Sequence, residues 1–168
     1  MIKSFRGVAP KIADSSFVSQ MASVIGDVEI GENSGVWPGA VIRADIAPIK
    51  IGAFTQIEDC AVIHGGTPMS IGDNVFIGHS AVVHCIKIGH NVLVGNNATV
   101  LEQVEIGDFC VIAAGALVTP GTKIPDHSFV AGVPGTIRGR PTAKMLDYIE
   151  GGMTDYVRLA AEAKAEGL

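Results

Sequence analysis

The chain has 168 residues, a formal net charge of −5 and a pI near 5.4, with no run of Lys or Arg; it therefore lacks the basic footprint needed to grip a nucleic-acid backbone or an anionic membrane. Every apolar stretch is broken by Gly, Asp, Asn or His well short of a membrane span, and "MIKSFRGVAP" holds no apolar signal core. The expectation is a soluble, cytoplasmic protein of one domain with a short appendage, and the 5% aromatic content with 21 glycines favours short strands and turns.

From Ile12 onward the sequence repeats every six residues, through leads such as Val18, Val24, Ile30, Val36 and Ile42, and on to Ile124 and Val130. The twenty leads are all Ile or Val, and the position four further on is usually small, as in Ala22, Ser34, Ala40, Ala81 and Ala98. Six residues cannot bury a face alone, so the leads must be covered by stacking repeat on repeat, which predicts an all-β solenoid over 1–140. Three spacings slip: Ile42 to Ile51 is nine, Ile63 to Ile71 is eight, and Val83 to Ile88 is five. Excursions are expected around Ala47-Pro48 and Gly66-Thr67-Pro68, and all three slips lie beside histidines. Cys60, Cys85 and Cys110 form no CxxC pair and read as packing or bystander thiols, although Cys85 directly follows His84. Over 141–168 the period changes: Met145, Ile149, Met153, Tyr156, Val157 and Ala160 follow helical spacing. One or two amphipathic helices are predicted there, broken at Gly151-Gly152 and packed along the solenoid.

Counting hexads places the histidines. His64 is second after Ile63 and His84 second after Val83, three hexads apart. With three hexads to a coil they stack on one corner, about 4.8 Å apart, above Arg43. His79, third after Ile77, falls on the neighbouring corner, with Asp59 below it and Asn96 above. Five extended residues span about 16 Å, whereas ligands sit about 2 Å from a shared zinc. His79 and His84 of one chain are therefore not expected to share a metal, but in a threefold oligomer His79 of one subunit can meet His64 and His84 of the next. His90 and His127 read as turn or packing residues.

The repeat, covering about 120 residues, resembles the hexapeptide-repeat family, whose fold is a left-handed parallel β-helix with three hexads per triangular coil. "VWPGAVIRAD" (36–45), "QIEDCAVIHG" (56–65), "IGHSAVVHC" (77–85) and "AAGALVTPG" (113–121) resemble, in order, segments of a narrower group, the gamma-class carbonic anhydrases and their homologues. The resemblance implies a homotrimeric lyase hydrating CO₂ reversibly to bicarbonate, with His64, His79 and His84 as metal ligands drawn from two subunits. It implies interface and active-site roles for Arg43, Asp45 and Asp59. Zn²⁺ is the expected metal, and imidazole suits Fe²⁺ and Co²⁺ as well. Three neutral imidazoles leave an open position, where a Zn²⁺-bound water has a pKa of about 7 and yields the hydroxide that attacks CO₂; carbonic anhydrase is itself the standard example of that value.

Two features depart from the group. Glu58 stands where the group usually has Gln, and the short loop "GGTPMS" (65–70) carries no carboxylate where its best-known members have an acidic loop. Glu58, Asp59 and Arg43 are the candidate catalytic residues beside the metal ligands. The competing functions are a CoA-dependent hexapeptide acyltransferase, for which the "AGVPG" turn (131–135) speaks, a metal-hydroxide thioesterase or other hydrolase, and a non-catalytic binding subunit.

Overall fold

Most hexads contribute one two-residue strand whose second residue, the Ile or Val lead, points into the molecule. Phe76–Ile77 pairs in parallel with Gln56–Ile57 below and Leu93–Val94 above, so that Ile57, Ile77 and Val94 stack in register with no exposure. β-branched side chains suit this pleated, closely stacked geometry. Each buried lead contributes about 1.5–3 kcal/mol relative to an exposed one. The computed structural model describes residues 1–168 and forms the expected left-handed parallel β-helix, with one helix, α1 (Ala143–Glu166), following it.

The corners explain the rest of the hexad. After Ile77 the backbone turns through Ser80 at φ 58° and returns at Ala81, whose N–H donates to the Gly78 carbonyl. The residue after the turn is small because it points into the narrow corner: Ala61, Ala81 and Ala98 are fully buried. At another corner, buried hydroxyls satisfy the amides that the turn leaves over. Ser34 N–H donates to Ser16 Oγ (3.0 Å), Thr55 N–H to Ser34 Oγ (3.0 Å) and Val75 N–H to Thr55 Oγ1 (3.2 Å). Glycine is demanded where coils touch: a Cβ on Gly52 would lie 2.7 Å from the Gly72 carbonyl carbon.

The prism has three faces of different chemistry. One carries Phe17–Val18, Gly35–Val36, Gln56–Ile57, Phe76–Ile77, Leu93–Val94, Val111–Ile112 and Phe129–Ala131. Helix α1 covers this face, burying Ile149 and Met153 with Phe76 and Val111, and Ala160 and Ala163 with Phe17. The second face is a ladder of alternating charge, in which Lys11, Glu29, Lys50, Ser70, Lys87, Glu105 and Lys123 pair in register. Opposite charges across strands stabilise such a stack and leave it wet. The third face, in register through Ser23, Val41, Val62, Val82, Thr99 and Leu117, is mostly apolar and nothing in the chain covers it.

Two expectations need correction. Helix α1 runs unbroken through Gly151-Gly152. A Cβ on Gly152 would sit 3.5 Å from the Phe76 ring, an ordinary packing distance, so the helix rests directly on the prism at this point. Packing on both sides of the pair outweighs the propensity cost of about 1 kcal/mol per glycine. Around Ala47-Pro48 the chain does not leave the sheet: Val41–Ile51 is one strand, its pairing slipping from Gly26↔Ala44 to Val28↔Ile49, so only 45–48 bulge. The Gly66-Thr67-Pro68 segment does leave the prism, between strands Val62–His64 and Met69–Ile71.

Candidate functional site

The candidate residues lie along the two edges of the bare apolar face. On the edge that follows it, Arg43 and His64 are in-register neighbours, and His84 stacks one coil further, its ring centroid 5.2 Å from that of His64. The Arg43 guanidinium donates to the Asp45 carboxylate, whose other oxygen lies 3.1 Å from His64 Nε2. Partial desolvation pushes the Asp45 carboxyl up, but the hydrogen bonds from Arg43 and His64 and the Arg43 charge outweigh it and hold it below its ordinary 3.8. Asp45 thus remains an acceptor, and with the His64 proton on Nε2 the ring's lone pair sits on Nδ1.

On the edge that precedes the face, the corner after Phe76–Ile77 presents His79. Its backbone N–H lies 3.1 Å from both Glu58 Oε2 and Asn96 Oδ1. The ring stands between two carboxylates, with Nε2 3.2 Å from Glu58 Oε2 and Nδ1 3.1 Å from Asp59 Oδ2. A neutral imidazole donates through one nitrogen only, so one of these contacts is surrendered whenever the ring offers a lone pair. Asp59 is half exposed, whereas Glu58 is buried, its side chain 7% accessible. Tyr156 of α1 is close to Glu58: burial above all, and then the Glu58 carboxylate, push the tyrosine hydroxyl well above its ordinary value. Tyr156 is edge-on to Trp37 and Phe76, at 5.4 and 5.3 Å.

Within one chain no group of three His, Cys, Asp or Glu side chains is arranged to hold a metal ion. The donor chemistry nevertheless fits a divalent cation. His84 Nδ1 is sealed from solvent with no hydrogen-bond partner, and Nε2, at the accessible side of the ring, has none either. Imidazoles beside carboxylates, two stacked on one edge of the face and a third on the other, are the ligand type that zinc and its neighbours prefer. His90 and His127 stand apart. His90 Nδ1 accepts from Asp73 N–H at 3.0 Å in a ladder of turn residues, and His127 stacks on Phe109 at 5.0 Å. Cys60 is exposed, while Cys85 and Cys110 are buried, and burial pushes the Cys85 thiol up to about 12.

Hexad counting does not single out Tyr156 or Glu102. Tyr156 reads as one more apolar helix position. Glu102, whose Oε1 comes within 3.5 Å of His84 Nδ1, is third after Val100, and only its coil position could have drawn attention to it.

Residues 68–102 and 85–120 match the family model described as bacterial transferase hexapeptide (six repeats). The chain is 46% identical over 145 residues to a Methanocaldococcus jannaschii protein named "Probable carbonic anhydrase", covering 85% of this chain and 91% of that one. It is 37% identical over 166 residues to the mitochondrial gamma carbonic anhydrase 1 of Arabidopsis thaliana, covering 94% of this chain; it spans only 60% of the plant protein's length. A hexapeptide transferase family protein from Anaplasma phagocytophilum superimposes with a TM-score of 0.91 at 32% identity, over 95% of this chain and 96% of that one.

Proposed function

Because the chain belongs to the gamma carbonic anhydrase-like family of hexapeptide-repeat proteins, we propose that it is a metal-dependent enzyme that hydrates CO₂ reversibly to bicarbonate at the subunit interfaces of a homotrimer. The observation that carries this reading is the flanking of one bare apolar face by His64 and His84 on one edge and His79 on the other. Three copies with that face turned to a common axis would bring each His64/His84 edge against a neighbour's His79 edge and would bury Val41, Val62, Val82 and Leu117. A heterologous contact of this kind closes into a ring when its rotation is threefold.

The three imidazoles would hold the cation, which when bound acidifies a water enough to make it nucleophilic near neutral pH. The chain's own residues prepare that site. Asp45 holds the His64 proton on Nε2 and is itself fixed by Arg43. Asp59 and Glu58 contend for the His79 ring, and the His79 backbone N–H keeps Glu58 aimed into the site as an acceptor. An ionised carboxylate there can also take a proton as a general base.

The transferase names of structural relatives favour the acyltransferase alternative only through the shared prism, which hosts more than one chemistry. Elemental analysis of anaerobically purified protein, paired with a CO₂-hydration assay, tests the proposal. About one metal per chain and catalysed hydration are expected. Metal-free protein, or loaded protein that hydrolyses or transfers acyl thioesters without hydrating CO₂, would overturn it.

A further inference from the structure

Building on the metal reading above, we infer that Glu102 is a positioning residue for His84, accepting a hydrogen bond from its Nδ1–H so that the proton stays on Nδ1 and the Nε2 lone pair is left free for the cation. His84 Nδ1 exposes less than 1 Å² and makes no hydrogen bond. A lone pair there would be shut off from solvent with no donor beside it, and its nearest charged neighbour is the Glu102 carboxylate. Nε2 is the nitrogen on the accessible side, and it too lacks a partner. A neutral ring carries a single proton, so a ligating Nε2 requires the proton on Nδ1, and a buried N–H requires an acceptor.

The acceptor at hand is Glu102 Oε1, 3.5 Å away, a few tenths of an ångström outside a good hydrogen bond. The Glu102 side chain is 56% accessible and makes no other hydrogen bond or ion pair, so a small rotamer adjustment closes the gap. Its backbone is fixed, because its carbonyl accepts from Gly121 N–H at 2.8 Å. The other two imidazoles already have carboxylates within 3.2 Å: Asp45 at His64, and Asp59 and Glu58 at His79. With Glu102, each of the three imidazoles has a carboxylate beside it. Such partners fix a ligand's tautomer and orientation, and losing one costs about 10–100-fold in metal affinity.

The test uses the full-length protein loaded with Co²⁺, whose visible spectrum reports ligand geometry, with chelator competition for affinity. Glu102→Ala should bind Co²⁺ about 10–100-fold more weakly with an altered spectrum, while Glu102→Gln and Glu102→Asp, which keep an acceptor, should recover part of the loss. The thermal midpoint of metal-free protein should be the same for all four. Wild-type affinity and spectrum in Glu102→Ala would overturn the inference, and so would a loss matched by destabilisation of the metal-free protein. His84→Ala separates the two readings. If it abolishes binding while Glu102→Ala keeps wild-type affinity and spectrum, only the role of Glu102 fails; if wild-type protein binds no Co²⁺, or His84→Ala binds it fully, the metal reading fails and this inference with it.

Discussion

Mixing two metal-poor variants should partly restore metal binding that neither shows alone. His79→Ala keeps His64 and His84 on one edge of the apolar face, and His84→Ala keeps His79 on the other. In a trimer of either variant every interface lacks one imidazole. In trimers refolded from an equal mixture, an interface is complete when a His79→Ala chain supplies the His64/His84 edge and a His84→Ala chain supplies His79. Each condition is met half the time, so about one quarter of interfaces should carry metal relative to wild type. The structure motivates the split: His79 is engaged by Glu58 and Asp59, His64 by Asp45, and no single chain assembles three ligands. The assay is metal content of the refolded mixture by elemental analysis, with mixed trimers verified by native mass spectrometry. Verified mixed trimers devoid of metal would refute the split site, as would a stable wild-type monomer retaining one metal per chain.

Replacing Glu58 by Gln keeps an acceptor for the His79 amide and adds a donor toward CO₂; CO₂ hydration at neutral pH should rise with metal content unchanged, and a tenfold fall, about 1.4 kcal/mol in the barrier, would show that the carboxylate acts as a base. Val82→Arg puts a charge on the bare face between Val62 and Thr99; size-exclusion chromatography should show monomer, with assembly weakened by about 3 kcal/mol and β circular dichroism intact, whereas a surviving trimer would mean that another face is the interface. Gly52→Ala would force a Cβ to 2.2 Å from Asp73 Oδ1 and 2.7 Å from the Gly72 backbone, lowering stability in urea by about 1–3 kcal/mol, while Gly151→Ala, with nothing within 4 Å, should raise it by about 0.5–1 kcal/mol; equal effects would contradict the coil-contact argument. An unfolded thiol ionises near 9.0 while folded Cys85 holds its proton to about 12, so the unfolded state sheds the proton first and stability should fall as pH rises from about 9 toward 12; a Cys85→Ser variant with the same alkaline slope would contradict it.

The repeat alone determined the stacked prism and the relative positions of the candidate residues on it. A period of six has a tertiary meaning that few local patterns have: each hexad is one side of a coil, so residues in the same phase three hexads apart are neighbours. That is why Arg43, His64 and His84 could be stacked in one column and His79 put on the next corner between Asp59 and Asn96 by counting. Three matters were decided by tertiary structure. Helix α1 passes through Gly151-Gly152 because Phe76 and the rest of its face supply packing free energy that helix propensity does not contain. The burial of Glu58, and its contact with Tyr156 almost a hundred residues away, depend on where α1 lies across that face. The approach of Glu102 to His84 is a side-chain distance between stacked coils, set by packing in three dimensions, which phase counting does not carry.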